Sequence, residues 1–285
     1  MKKVSLRIAL MTLGILLVTA CQKQNNTTAE TVSHDSDAIA QTQHHDQAAT
    51  NATAPNHTAS KSALQVKIIP AAIKLPQCKG KECSEIDIKQ VQSNDAWVNQ
   101  FFADEILNIS NPVVEGKNHS LQESVDYLMT ASQQDTKSRG KAVPYEVKIE
   151  PEYLGERSNI SRFKIETSSY TGGAHGSALK IYYNLDRAHQ KQVLIDDIVL
   201  QGQKQKLYKL VHDQFVAWVK STNPDANIAE YEKGWPFNLT SNFNFDEKGL
   251  DFQYQQYEIA PYASGLPHFS VPYTQLKGIV KPEYL

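Results

Sequence analysis

Hydrophobic and polar positions divide the chain into three regions. An apolar run occupies residues 8–18, residues 22–62 contain almost no large apolar side chain, and residues 63–285 carry patterned apolar positions and every aromatic residue. Regular apolar spacing with aromatic residues is what a packed core requires. We therefore expect the folded part of the protein to begin near residue 63.

The first half of this part, residues 63–150, mixes two periodicities. Short or alternating apolar runs predict three strands, at 66–75 with a break at Pro70, at 86–91 and at 143–149. Apolar residues at helical spacing predict two helices, over 96–109 and 121–131. The apolar face of the first predicted helix comprises Trp97, Phe101, Ile106 and Ile109. The predicted order is β-β-α-α-β.

The second half, residues 151–285, is richer in strands. Alternation assigns one face of one strand to Phe163, Ile165 and Thr167, and one face of the next to Leu179, Ile181, Tyr183 and Leu185. Asp196-Asp197 predicts a helix start, ahead of an apolar stripe at Leu207, Leu210, Val211, Phe215, Trp218 and Val219. The run from Phe243 to Tyr254 predicts a hairpin that turns at 247–249. The alternation of apolar and polar positions breaks at Gln255-Gln256, before Tyr257, which predicts a β-bulge. A last strand at 268–273 and a short helix opened by Thr274 complete an α+β fold with an antiparallel sheet and a few helices.

The start of the chain has the form of a secretion signal. Lys2, Lys3 and Arg7 precede the apolar run, which is too short to span a bilayer. It ends in Leu17-Val18-Thr19-Ala20-Cys21, which resembles a bacterial lipobox and implies cleavage after residues 1–20, with lipid on the thiol of Cys21. An ordinary secretory signal followed by a chance cysteine is the alternative. Gln22 stands where an inner-membrane retention signal would have Asp, so we expect an outer-membrane lipoprotein that faces the periplasm.

Residues 21–62 then form the lipidated cysteine and a tether. In residues 22–62, Val32 and Ile39 are the only large apolar side chains, and such a segment is expected to be disordered. As a coil of that length its ends lie about 35 Å apart. It contains four scattered histidines, His34, His44, His45 and His57. Because these have no fixed geometry, we expect neither a metal nor another cofactor.

The charge balance bears on the class of partner. The chain has 29 Lys and Arg against 31 Asp and Glu; without the three bases of residues 1–20 it has 26 against 31, a net charge of −5. This argues against nucleic acid or anionic lipid headgroups and is compatible with a cationic partner. The oligomeric state is not indicated.

Cys78 and Cys83 enclose four residues, Lys-Gly-Lys-Glu. Outside the cytoplasm two thiols this close are expected to oxidise to a disulfide. A zinc site would need two further ligands, and none stands at finger spacing. We predict the disulfide.

Three patterns could carry chemistry. SxxK occurs three times, which shows how unspecific it is, and Asp196-Asp197 fits a helix start better than a catalytic pair. His175 is the strongest single candidate because it lies among three glycines, Gly172, Gly173 and Gly176. No nucleophile or second ligand lies near it in sequence, so a structural or recognition role is favoured over catalysis.

Two motifs carry a family resemblance. Residues 170–176 read YTGGAHG, residues 257–265 read YEIAPYASG, and Val271-Pro272-Tyr273 follows. In this order and spacing they resemble the signatures of the RsiV/PdaC-like extracytoplasmic domains. That family includes the sensor domain of a lysozyme-binding anti-sigma factor and the non-catalytic domain of a peptidoglycan deacetylase. The match is firm over about 150–280 and looser over 63–149, which implies a two-part module after the tether, with a PdaC-like half at 63–150 and an RsiV-like half at 151–285.

The resemblance implies a recognition surface or its scaffold. Its candidate residues are Tyr170, Thr171, Gly172, Gly173, His175, Gly176, Tyr257, Glu258, Pro261, Tyr262 and Gly265. Since we expect a lipid anchor in place of a transmembrane helix, and no deacetylase domain, only the recognition module is expected. The leading hypothesis is a lipid-anchored envelope module that binds lysozyme or a similar muramidase as sensor or inhibitor. The alternatives are a peptidoglycan-binding or scaffold lipoprotein and, less favoured, a hydrolase centred on His175.

Overall fold

The computed structural model describes residues 62–78, 80, 83–111 and 120–285, which all belong to one compact unit. The predicted signal peptide, Cys21 and nearly all of the tether lie outside the described residues. None of the described helices is long and apolar enough to cross a membrane.

A six-stranded sheet forms the body of the unit. Its strands, paired in chain order, are β1 Val66–Pro70, β2 Glu85–Ser93, β3 Glu146–Arg157, β4 Ile160–Tyr170, β5 Ser177–Asp186 and β6 Lys191–Gln192. All neighbours are antiparallel except β2 and β3, which are parallel. Parallel strands need a long crossover, and the two helices α1 Ala96–Ser110 and α2 Leu121–Arg139 occupy it. The predicted β-β-α-α-β order and the α+β class are therefore confirmed.

The helices α1 and α2 differ from their predictions in detail. The deepest positions of α1 are Val98, Phe102 and Ile106, while Trp97, Phe101 and Ile109 pack at the margin of the same core. The four predicted residues all pack on the core, but the most buried stripe also includes Ser110 and is displaced by one residue from three of them, because contact with the sheet selects within a broad apolar face. Helix α2 continues eight residues beyond its last predicted position. These added residues are polar, so the spacing of apolar residues did not predict them. Gly140 ends the helix with φ +65°.

The second half adds helices and a three-stranded sheet. The elements are α3 Ile195–Ile198, α4 Lys204–Thr222, α5 Ile228–Gly234, β7 Phe243–Phe245, β8 Gly249–Gln253, β9 His268–Pro272 and α6 Tyr273–Leu276. The hairpin β7–β8 and the last strand are as predicted, and the buried side of α4 is the predicted stripe at Leu207, Val211, Phe215 and Val219. Asp196-Asp197 lies in the separate short helix α3, not at the start of α4. There the Asp197 carboxylate accepts from the Leu194 backbone N–H at 2.8 Å.

One sheet joins the two halves of the sequence. Residue 150, where the sequence places their boundary, lies within β3, and β3 pairs with β4 along eleven positions. Arg162 on β4 donates to the carbonyl oxygens of Phe245 and Leu154 and so links the two sheets. The predicted Cys78–Cys83 disulfide is present, with Cα atoms 5.8 Å apart.

Candidate recognition site

The two motifs of the sequence meet in space. The glycine loop, residues 171–176, joins β4 to β5, and the closing loop, residues 254–267, joins β8 to β9. The Tyr257 hydroxyl lies 3.1 Å from Nε2 of His175, and the Tyr262 ring stacks on the His175 ring with centroids 4.0 Å apart. The Tyr262 hydroxyl donates to the Gly176 carbonyl oxygen at 3.0 Å. Residues about 80 positions apart therefore form one surface.

Four rings meet at this junction, and we call His175, Tyr257, Tyr262 and Trp235 the aromatic cluster; the first two are exposed and the last two are half-buried. Tyr257 is 52% exposed, His175 is exposed, and Trp235 stacks on Tyr257 with centroids 6.4 Å apart. Tyr257 has φ +66°, a backbone conformation unfavourable for tyrosine, so its neighbours hold it there. Trp235 was missed in the sequence because nothing in its spacing connects it to either motif.

When the His175 imidazole is neutral, each of its nitrogens has a hydrogen-bond partner. Nδ1 lies 2.9 Å from the Gly176 carbonyl oxygen, which can only accept, so Nδ1 carries the proton and Nε2 accepts from the Tyr257 hydroxyl. Tyr262 covers one ring face. These contacts orient His175 at the surface, while general acid–base catalysis would in addition require a bound substrate within hydrogen-bond reach.

Two glycines of the glycine loop are required by its geometry. Gly172 is buried with φ +77°, and a Cβ on it would lie 2.5 Å from Cγ1 of Val143. A Cβ on Gly176 would lie 2.8 Å from the backbone oxygen of Ser169. Thr171 and Gly173 are exposed, and a Cβ on Gly173 would make only ordinary contacts. The repeated glycines thus allow a close approach of backbone to core, which places His175 outward.

Side-chain amides form hydrogen bonds with the open edge of β5, two of them from the closing loop and one from Asn242 just before β7. Gln255 accepts from the Lys180 N–H at 3.1 Å and donates to the Lys180 carbonyl at 2.7 Å, as a neighbouring strand would. Gln256 accepts from the Ala178 N–H at 2.9 Å, and Asn242 accepts from the Tyr182 N–H at 2.8 Å. The predicted bulge at Gln255-Gln256 is therefore wrong. Strand β8 ends at Gln253, and the two amides leave the strand to cap another one.

The remaining candidate residues shape the closing loop. The half-buried Glu258 carboxylate accepts from the Gln255 N–H at 2.8 Å; burial raises the pKa of Glu258, and this hydrogen bond opposes the shift. Pro261 precedes a 3₁₀ turn at Tyr262–Ser264, and Gly265 closes that turn with φ +68°. These three residues hold the tyrosines in place.

A cleft of about 480 Å³ lies beside the aromatic cluster. Tyr170, which is 37% exposed, and Tyr262 line it, together with Glu85, Asp87 and Glu146. These three carboxylates form no ion pair within the described residues. On the same sheet, by contrast, Glu150, Glu152 and Glu166 each lie within 3.2 Å of at least one lysine nitrogen. Lys148 also lines the cleft but pairs with Glu150, so the three carboxylates leave an excess of negative charge beside the aromatic rings.

Comparison with known proteins supports the resemblance at a coarse level. Residues 196–274 match DUF3298, a family of unknown function. The matched segment contains the closing loop and its motif but ends short of the C-terminus. RsiV/PdaC-like domains contain DUF3298, so the match agrees with that resemblance, and the narrower membership stays a prediction. No curated protein matches the chain.

Two solved structures share the fold. A DUF3298 family protein from Pseudomonas aeruginosa PAO1 is 22% identical with a TM-score of 0.61, and the match covers 78% of this chain and 96% of that one. A DUF3298 family member from Bacteroides fragilis NCTC 9343 is 20% identical with a TM-score of 0.58, over 78% and 95% of the two chains. At these identities the likeness extends to the fold alone.

Proposed function

We propose that the protein is a lipid-anchored binding module of the cell envelope whose partner is lysozyme or a similar cationic muramidase. The observation that carries the proposal is the aromatic cluster where the two motif loops meet, in which His175 and Tyr257 are exposed. As a module anchored by Cys21, it would act as a sensor or inhibitor at the outer membrane.

The aromatic cluster has the properties of an interface centre. Exposed tyrosine and tryptophan side chains are enriched at such centres, where they contribute large contact areas. Tyr257, Tyr262 and His175 already contact one another in the free protein. Their order lowers the entropy that association would cost.

The charge beside the cluster favours a cationic partner. Glu85, Asp87 and Glu146 line the cleft and form no ion pair among the described residues, since Lys148 beside them pairs with Glu150. The chain after residue 20 has a net charge of −5. Complementary charges at the rim of an interface accelerate association and make it sensitive to salt. A lysozyme-type enzyme rich in Lys and Arg would meet this condition.

Calorimetric titration of lysozyme into residues 22–285 tests the proposal. We expect binding that weakens with rising salt. Replacing the unpaired acids together, Glu85→Gln, Asp87→Asn and Glu146→Gln, should weaken it about tenfold or more. The matched control neutralises the paired acids of the same sheet, Glu150→Gln, Glu152→Gln and Glu166→Gln. Absence of binding at low salt, or an equal loss in both variants, would contradict the proposal.

A peptidoglycan-binding module is the second candidate. The cleft combines tyrosine rings with hydroxyl groups from Ser168, Ser169 and Ser177, a combination that suits sugar stacking and hydrogen bonding. Co-sedimentation with purified sacculi separates the two candidates. Retention that Tyr262→Ala abolishes, without affinity for lysozyme, would favour the glycan.

A further inference from the structure

A residue outside both motifs holds one end of the glycine loop. Arg139, the last residue of α2, donates from Nη1 to the Gly172 carbonyl oxygen at 2.8 Å. Because α2 belongs to the first half of the sequence, the crossover helix reaches the loop of the second half. A guanidinium makes a stronger bond to a carbonyl than a neutral donor does.

Arg139 is itself placed by two neighbours. Its Nη2 lies 3.5 Å from a carboxylate oxygen of Asp135, one turn earlier in α2. The hydroxyl of Tyr145, a residue only 7% exposed, donates to the same carboxylate oxygen at 3.0 Å. Val143, two residues before Tyr145, packs where a Cβ on Gly172 would lie. Gly172 is thus fixed by contacts from the segment 135–145.

The other end of the glycine loop is held separately. Tyr262 donates to the Gly176 carbonyl, and Gln256 accepts from the Ala178 N–H just after it. Between these two ends the chain carries glycines, whose backbone has many alternative conformations of similar energy. Without the Arg139 contact, the Gly172 end of the loop would keep its packing on Val143 but lose its hydrogen bond to α2, and His175 would occupy its stacked position less often.

We propose that Arg139 is a positioning residue for the aromatic cluster, which fixes the Gly172 carbonyl and thereby holds the His175 ring against Tyr262 and within hydrogen-bond distance of the Tyr257 hydroxyl. Its importance for a partner rests on the proposed function. Its effect on His175 does not, because the contacts exist in the protein alone.

The test compares Arg139→Met with Lys137→Met in residues 22–285. Both changes remove one positive charge from the last turn of α2, but within the described residues Lys137 makes no hydrogen bond or ion pair with the loop. The readout is the proton chemical shift of the His175 ring, which stacking on Tyr262 moves upfield. We expect a downfield shift in Arg139→Met and the wild-type value in Lys137→Met, with similar melting temperatures. A wild-type His175 shift in folded Arg139→Met would overturn the inference.

Two additions keep the result decisive. If Arg139→Met does not fold, Arg139→Gln, which is too short to reach Gly172, replaces it, and an unshifted His175 signal there also overturns the inference. If wild-type protein binds lysozyme, Arg139→Met should weaken binding about three- to tenfold. If wild-type protein does not bind, the proposed function fails while the His175 shift still decides the role of Arg139.

Discussion

Alanine at Gly172 tests whether the glycine loop is shaped by its contact with the core. Gly172 combines φ +77° with a position where a Cβ would lie 2.5 Å from Cγ1 of Val143. The adjacent Gly173 lacks a left-handed φ, and its Cβ would lie 3.7 Å from the nearest atom. The two glycines are therefore a matched pair, one constrained and one free.

The expected magnitudes differ clearly. A left-handed conformation costs an alanine about 1–2 kcal/mol, and overpacking costs about 1–3 kcal/mol. Gly172→Ala should therefore lower the free energy of unfolding by about 2–5 kcal/mol, whereas Gly173→Ala should change it by less than about 0.5 kcal/mol. Because Val143→Ala removes the clashing methyl group, the double variant should be about 1–3 kcal/mol more stable than the sum of the two single changes predicts.

Urea denaturation followed by tryptophan fluorescence measures these four variants. The free energy of unfolding should fall with urea concentration at the same slope in all four variants, so that their midpoint concentrations compare stability directly. Equal destabilisation by Gly173→Ala would show that the loop tolerates no side chain at either position, for a reason other than contact with Val143. Additive effects of Gly172→Ala and Val143→Ala would show that the two residues do not press on each other.

Three further predictions concern the closing loop. Tyr262→Phe keeps the ring on His175 but loses the hydroxyl bond to Gly176, so urea denaturation should show a loss of about 0.5–1.5 kcal/mol; no loss would make that bond unimportant. Gln255→Ala leaves the backbone N–H of Lys180 without its acceptor and removes one of the two side-chain donors to the Lys180 carbonyl oxygen. Calorimetry should therefore show a melting temperature lower by about 4–10 °C; an unchanged value would contradict the capping role. Because burial raises the pKa of Glu258, the contribution of this carboxyl to stability is fully present below the ordinary carboxyl pKa and is lost as pH rises through the folded-state pKa. Glu258→Gln should remove that loss, so its melting temperature should gain on wild type as pH rises from the ordinary carboxyl pKa through the folded-state pKa of Glu258, and parallel pH curves would refute the assignment.

Most elements could be predicted because their signals are local. The helix at 96–109 and the hairpin at 243–254 follow from side-chain period, which depends only on neighbours in the chain. The second helix was predicted too short because its last turns are polar and project into solvent. The amides at Gln255-Gln256 were misread because a break in alternation looks the same whether the strand bulges or ends.

The candidate site likewise combines features that the sequence predicts with contacts that only the fold creates. The sequence by itself determined that the glycine and tyrosine motifs were unusual, and that the chain carries excess acid after residue 20. Only the tertiary structure decided that His175 meets Tyr257 and Tyr262, that Trp235 joins them, and that Arg139 reaches Gly172. The physical reason is that such contacts join residues tens of positions apart. Their existence depends on how β5, the closing loop and α2 pack together, which no local pattern of side chains records.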